Sequence, residues 1–222
     1  MRKIFMDKSI QWDRLEHGIM VDKSKTVVGV VGIGNGAGAT FTAMNLAFCM
    51  AEMSEGITFA EGHNHKSGEV RAFEMLSVDH RFRKKNGHMT NLYKKVNWVT
   101  EVKNPAEIPG RTIIIDNPEK YDGIDIVAGI VDSLPSRIEA GLEVFKELRE
   151  LQIPVIWVFN KDSRQADIKR TEQYLKIKFD CRQEMLSQEV FYKAELGCTQ
   201  QFFLQRPQGI ERLACMILEY NK

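Results

Sequence analysis

The most informative segment of the sequence is "VVGVVGIGNGAGATFTAMNLAFCMA", residues 27–51. It runs from an apolar, β-branched segment through a glycine-rich turn into a segment with helical spacing. Strand, glycine turn and helix in this order are typical of a phosphate-binding loop. However, Ala39 occupies the position at which such a loop carries its lysine. The stretch therefore raises the question whether the chain binds a nucleotide without that charge or keeps only the fold.

The composition is that of an ordinary globular protein. The chain has 222 residues, of which 43% are hydrophobic and 27% charged, and its formal net charge is +1. This length suffices for one α/β domain with a full core. The near-neutral total excludes a global attraction to nucleic acid or anionic lipid. The four cysteines, Cys49, Cys181, Cys198 and Cys215, form no CxxC pair and are expected to be small buried thiols of a reduced, cytoplasmic protein. No apolar stretch is long enough to span a membrane.

The rest of the chain alternates strand-like with helix-like segments. Strands are predicted at 26–33, 56–61, 97–102 (at a sheet edge), 111–116, 124–132, 154–160 and within 178–186. Helices are predicted at 40–53, 136–151, 164–176 and 208–221. This alternation predicts an α/β three-layer sandwich with a mostly parallel sheet. We expect an N-terminal arm over 1–25 and one domain over 26–222, with 62–96 as a surface excursion.

Polar residues follow the predicted strands where a parallel sheet binds its ligands, beyond the carboxyl ends of the strands. These are the loop after residue 33, Glu61, Asp116, Asp132 and Asn160. Glycines at 34, 36 and 38 allow successive backbone N–H groups to face one anion, and the helix that follows adds its positive end. The loop is therefore predicted to cradle phosphate even without a lysine.

A dinucleotide site is the competing interpretation of the same loop. "GIGNGA", residues 32–37, fits the GxGxxA form of that fingerprint, and Glu61 ends the next strand, where it could hold a ribose. On this interpretation the protein is a Rossmann-type, NAD-dependent oxidoreductase. "NKD", residues 160–162, resembles the guanine-reading NKxD motif, but its Asp stands one residue early.

Several of these motifs together resemble the ParA/MinD family of deviant P-loop ATPases, the CobQ/CobB/MinD/ParA nucleotide-binding domain. The resemblance runs from about residue 26 to the end of the chain. "GNGAGAT" (34–40) aligns with the family's KGGxGKT loop, and "NLA" (45–47) aligns with the family's NLA. "TIIIDNP" supplies an acid, Asp116, at the end of a strand, and "VIWVFN" supplies Asn160. The resemblance implies a P-loop NTPase-like domain.

The resemblance also implies a set of site residues and a cofactor, ATP or ADP with Mg²⁺. Thr40 and Asp116 are the implied metal ligands, Glu61 and Asp116 the implied catalytic acids, and Asn160 the implied contact to the base. The implied phosphate-binding residues are Gly34, Asn35, Gly36, Ala37, Gly38, Ala39, Thr40 and Phe41.

Two departures from the family pattern bear on activity. Ala39 replaces the loop lysine, and Gly34 replaces the signature lysine that reaches a dimer partner's nucleotide. Losing one charged hydrogen bond weakens binding by about 10- to 150-fold, so binding can survive. Hydrolysis, which depends on charge and positioning, is expected to be weak or absent. Lys66, Arg71 and Lys161 are candidate replacement cations.

The resulting hypothesis is a degenerate family member, at most a weak ATPase, that positions an unidentified protein partner and forms a homodimer. The alternative is a scaffold that binds no nucleotide. Glu61, His63 and His65 have alternating spacing that could suit a metal, but a solvated loop is the favoured interpretation. The basic patch at 80–95 is favoured as a solvated face over a contact to DNA phosphates or acidic lipid headgroups.

Overall fold

The computed structural model describes residues 25–62, 83–85, 88–99, 104–162, 167–190, 193 and 205–220. The strands there are β1 (Thr26–Ile33), β2 (Ile57–Glu61), β3 (Arg83–Lys85), β4 (His88–Tyr93), β5 (Val96–Val99), β6 (Thr112–Asp116), β7 (Ile126–Asp132), β8 (Val155–Asp162) and β9 (Cys181–Glu184). The α-helices are α1 (Ala39–Met53), α2 (Pro135–Ala140), α3 (Leu142–Glu150), α4 (Ile168–Leu175) and α5 (Ile210–Tyr220). The predicted arm at 1–25 lies almost wholly outside the described residues.

All nine of these strands belong to one sheet, in the order β3-β4-β5-β2-β6-β1-β7-β8-β9. From β5 to β9 every neighbouring pair is parallel, which gives a core of seven parallel strands. β4 runs antiparallel to β5, and β3 antiparallel to β4. β1 pairs directly with β6, with Val30 opposite Asp116. The predicted α/β fold with a mostly parallel, P-loop-type sheet is confirmed.

The strands of the sheet centre are apolar on both faces because helices cover both. In β1, Val28 and Val30 pack into the cluster formed with α1 and α5. Val27 and Val31 point the other way, into the cluster that contains Ile138 of α2. This two-sided burial is typical of parallel strands. It explains why the apolar run at 26–33 does not alternate with polar residues.

Three predictions of local structure were wrong. The strand predicted at 97–102 is not at an edge, because β4 from the supposed surface excursion pairs with β5 on its open side. The helix predicted at 136–151 is two helices, interrupted at Gly141. Cys215 is exposed, whereas Cys49 and Cys181 are buried as expected, and burial raises the pKa of both buried thiols to about 11.

Candidate functional site

The glycine loop between β1 and α1 has the backbone shape of an anion cradle. Gly34, Gly36 and Gly38 all have positive φ, at 89°, 72° and 96°. The Ala37 N–H donates to the Gly34 carbonyl at 3.3 Å, which closes a turn. Gly38 is the residue before α1, a helix of 15 residues without an acidic residue in its first turn. The positive end of that helix is therefore available to an anion held by the loop.

Glycine is required at 34 because the junction of α2 and α3 lies directly on the loop. A Cβ added to Gly34 would stand 2.6 Å from the Arg137 carbonyl oxygen. A Cβ added to Gly141 would stand 2.4 Å from the Ile33 carbonyl carbon. The two glycines thus allow backbone to touch backbone. The family's signature lysine at position 34 is sterically incompatible with this packing.

Three charged side chains, Asp132, Arg137 and Lys161, form a cluster beside the backbone of Gly36 in the loop. Asp132, at the end of β7, is fully buried and accepts from Lys161 Nζ at 2.7 Å. Arg137 Nη1 lies 3.6 Å from the same carboxylate oxygen, Oδ2. The other oxygen, Oδ1, accepts from the Leu134 N–H at 2.9 Å. Asp132 therefore anchors two cations beside the glycine loop.

Asn160 lies beneath the loop, one strand position from Lys161. Its side-chain amide donates to the Ala37 carbonyl at 2.7 Å, and the residue is 3% exposed. A Cβ added to Gly38 would stand 2.2 Å from the same amide nitrogen. Asn160 therefore supports the loop backbone in this structure, and its contact to a base stays a prediction.

The two predicted acids lie side by side on the other side of the loop. Glu61 and Asp116 end the adjacent strands β2 and β6 and face each other in register. They are 3% and 0% exposed. Asp116 Oδ1 accepts from the Asn117 side chain at 2.9 Å, and that side chain in turn accepts from the Gly32 N–H at 3.2 Å. Hydrogen bonds thus connect Asp116, through Asn117, to the strand that leads into the loop.

The structure brings together most of the residues predicted from sequence. The loop 34–41, Asp132 and Asn160 converge, and Glu61 and Asp116 end the neighbouring strands on the β2 side of the loop. Thr40 lies in the first turn of α1 and is partly exposed. Of the candidate replacement cations, Lys161 contacts the loop. Sequence reasoning missed Arg137, whose position depends on the contact between Gly141 and the loop.

Some predictions fall outside the part of the chain that the structure describes. These are His63 and His65 of the metal alternative, the cations Lys66 and Arg71, and part of the basic patch at 80–95. Within that patch, Lys94 and Lys95 are exposed in the turn between β4 and β5. No three His, Cys, Asp or Glu side chains among the described residues are grouped so that they could hold a metal by themselves.

The strand order removes the Rossmann alternative. In that fold the second strand, whose acid holds the ribose, lies next to the first. Here β6 stands between β1 and β2. Glu61 is therefore one strand too far from the glycine turn for the predicted dinucleotide site.

Solved structures with the same fold are found by comparison. A ParA family ATPase from Chlorobium tepidum matches with a TM-score of 0.66 at 11% identity, over 87% of this chain and 98% of that one. The MinC:MinD cell division complex of Aquifex aeolicus matches at 0.66 and 11%, over 87% and 96%. The fold is that of the ParA and MinD ATPases.

A further ParA/MinD-type structure carries a nucleotide. It is the septum site-determining protein MinD from Pyrococcus horikoshii, complexed with Mg-ADP. It matches with a TM-score of 0.56 at 10% identity, over 89% of this chain and 94% of that one. No protein-family model and no curated protein matches the sequence. Among the helices that the structure describes, none has the length and apolar character needed to cross a membrane.

Proposed function

We propose that this chain binds ATP or ADP with Mg²⁺ at the glycine loop and, in that state, positions a protein partner, with hydrolysis weak or absent. The observation that carries the proposal is the loop itself. Three glycines of positive φ lead into the start of α1, in a fold shared with a MinD that holds Mg-ADP. Left-handed residues that alternate with right-handed ones turn successive N–H groups toward one point, which is the geometry of an anion-binding nest.

The acidic pair fits a magnesium ion only if phosphate completes the site. Mg²⁺ is usually held by one or two carboxylates together with waters and phosphate oxygens. Asp116 and Glu61 are two buried carboxylates in register on neighbouring strands, and Thr40 offers a hydroxyl in the first turn of α1. When bound, Mg²⁺ neutralises charge on the phosphates. Asp116 and Thr40 would hold it.

Slow hydrolysis follows from the chemistry of the loop. Phosphoryl transfer is catalysed almost wholly by positioning and by stabilising developing charge. Neither position 34 nor position 39 supplies a lysine. We expect phosphate release from ATP close to background. A steady release that Thr40→Ala or Asp116→Ala abolishes would contradict this part of the proposal.

The partner part of the proposal is supported by the fold and by one surface feature. A MinD of this fold is found in a complex with MinC. In this chain Leu134 is 51% exposed, two residues after Asp132 at the mouth of the loop. An exposed apolar side chain beside the nucleotide site is typical of a surface that a protein partner or a second copy of the chain covers.

A scaffold that binds no nucleotide is the second candidate. Arg137 and Lys161 both donate to the carbonyl of Gly36, so their side chains lie over the part of the loop that a phosphate would approach. Thermal unfolding with ATP–Mg²⁺, ADP, GTP and NAD separates the two. A ligand that binds the folded state raises the melting temperature by mass action. We expect a rise with ATP–Mg²⁺ and ADP and none with NAD. No rise with any nucleotide would favour the scaffold.

A further inference from the structure

We propose that Arg137 and Lys161 together supply the positive charge that the loop lacks, by binding the terminal phosphates of the nucleotide. This assignment rests on the proposed function of the same site. It gives the role of the missing loop lysines to residues of α2 and β8, which follow the loop residues that they contact by 102 and 125 positions in sequence.

Both side chains already reach the loop at one atom. Arg137 Nη1 donates to the Gly36 carbonyl oxygen at 2.8 Å and to that of Asn35 at 3.3 Å. Lys161 Nζ donates to the same Gly36 oxygen. The two cations, which belong to α2 and β8, thus meet at the Gly36 carbonyl of the glycine loop.

The charge balance of the cluster favours an anion. Arg137 and Lys161 carry two positive charges, and Asp132 carries one negative charge, so the cluster has a surplus of one positive charge. Asp132 is fully buried, whereas the Lys161 and Arg137 side chains are 30% and 40% exposed. The carboxylate is therefore fixed, and the cations remain open to the water from which a ligand arrives.

A phosphate oxygen is a better acceptor than the carbonyl that the two cations now contact. The bonds to the Gly36 carbonyl have one charged partner, whereas a phosphate would give each cation an acceptor of full opposite charge, and a guanidinium suits phosphate geometry. Exchange of the neutral Gly36 carbonyl for a phosphate is thus favoured for both side chains. Asp132 competes with the ligand for the same cations.

The contact between Gly34 and the backbone of α2 connects the missing lysine at position 34 with the cation at Arg137. The backbone of α2 lies where a side chain at 34 would begin, with the Arg137 carbonyl 2.6 Å from the added Cβ. The residue that excludes a lysine from the loop therefore also places its own guanidinium over Gly36.

Calorimetric titration with ATP–Mg²⁺ and with inorganic triphosphate tests the assignment. Arg137→Gln and Lys161→Gln should each weaken both ligands by about 10-fold or more, whereas Lys161→Arg should retain most of the affinity. Lys169→Gln and Arg170→Gln, exposed positions on α4, are matched controls and should change nothing. Melting curves show which variants are folded.

Asp132→Asn distinguishes a binding role from a structural one. The amide can keep its contact to the Leu134 N–H, but it no longer competes for the cations. We expect tighter binding of both ligands. If the cations served only to hold the loop, Asp132→Asn would loosen them and weaken binding, which would overturn the assignment.

The two ligands separate failure of this assignment from failure of the proposed function. If Lys161→Gln and Arg137→Gln bind ATP as the unaltered protein does, the assignment is wrong and the nucleotide site stands. If triphosphate binds through these two cations but ATP does not, the two cations bind phosphate as assigned, and it is the proposed nucleotide function that fails. Binding of neither ligand by the unaltered protein overturns both.

Discussion

The two sides of the candidate site differ in how their charges are placed. On the acidic side, Glu61 and Asp116 stand at strand ends, at the positions that the family pattern implies. On the loop side, the backbone has the expected shape, but the nearby cations come from α2 and β8. Short acidic side chains depend on the exact register of the sheet. Long cationic side chains reach a loop from several elements, so their sequence positions are less constrained.

The largest loss of nucleotide affinity is expected from a substitution in the backbone of the glycine loop. Gly38→Val combines a positive φ of 96° with a Cβ placed 2.2 Å from the Asn160 amide nitrogen. We expect loss of nucleotide affinity by more than about 100-fold, since several N–H donors are displaced at once. Calorimetric titration with ATP–Mg²⁺ measures it.

Gly123→Val is the matched control for that substitution. Gly123 also has a positive φ, 74°, but an added Cβ there meets nothing within 4 Å. Both variants carry a left-handed strain of roughly 1–2 kcal/mol, visible as a lower melting temperature. Equal nucleotide affinity in the two variants would remove the loop from the binding site.

A smaller effect is expected from the acidic side. Asp116→Asn should abolish the part of the ATP affinity that depends on Mg²⁺. The affinity for ATP–Mg²⁺ should fall about 10-fold if one charge-assisted contact is lost. Titrations of ATP with Mg²⁺ and with EDTA measure that part. Asp122→Asn, at an exposed position, should leave it unchanged. An unaltered response to Mg²⁺ in Asp116→Asn would show that the acidic pair holds no metal.

The smallest effect concerns α1, the helix that follows the loop. Cys49 is buried on α1 and its pKa is raised to about 11, so the thiolate that alkylating agents attack is rare near neutral pH. Cys215 is exposed on α5 and should be alkylated first, in a variant carrying Cys198→Ser. ATP–Mg²⁺ should slow labelling of Cys49 a few-fold, because binding opposes local opening of α1.

Mass spectrometry of the two peptides gives both labelling rates in one experiment. The rate at Cys215 serves as the internal control and should not respond to the nucleotide. A nucleotide that binds without slowing the labelling of Cys49 would show that the loop side gains no stability from its ligand.

The sequence was sufficient to predict the fold wherever strands are buried on both faces. Apolar runs such as 26–33 and 111–116 have few alternatives to a parallel sheet. The hairpin of β3 and β4 escaped prediction because β3, an edge strand, consists of three charged residues and β4 has no regular alternation of apolar and polar residues. Lysines are common on such edge strands.

Residues at strand ends were also predictable, since parallel strands deliver their carboxyl ends to one edge of the sheet. Asp116, Asp132 and Asn160 were found in this way. Arg137 was not, because its place over the loop depends on the close backbone contact of Gly141 with Ile33. A glycine inside an otherwise helical pattern was the available signal.

We propose that the loop still cradles phosphate, while the positive charge beside it comes from α2 and β8. Adding Ala39→Lys to the Lys161→Gln variant tests this most directly, by titration with ATP–Mg²⁺. Ala39 begins α1, and a lysine there would stand at the family's own loop position. We expect this lysine to restore the roughly 10-fold affinity lost with Lys161. A folded double variant that binds ATP no better than Lys161→Gln alone would contradict it.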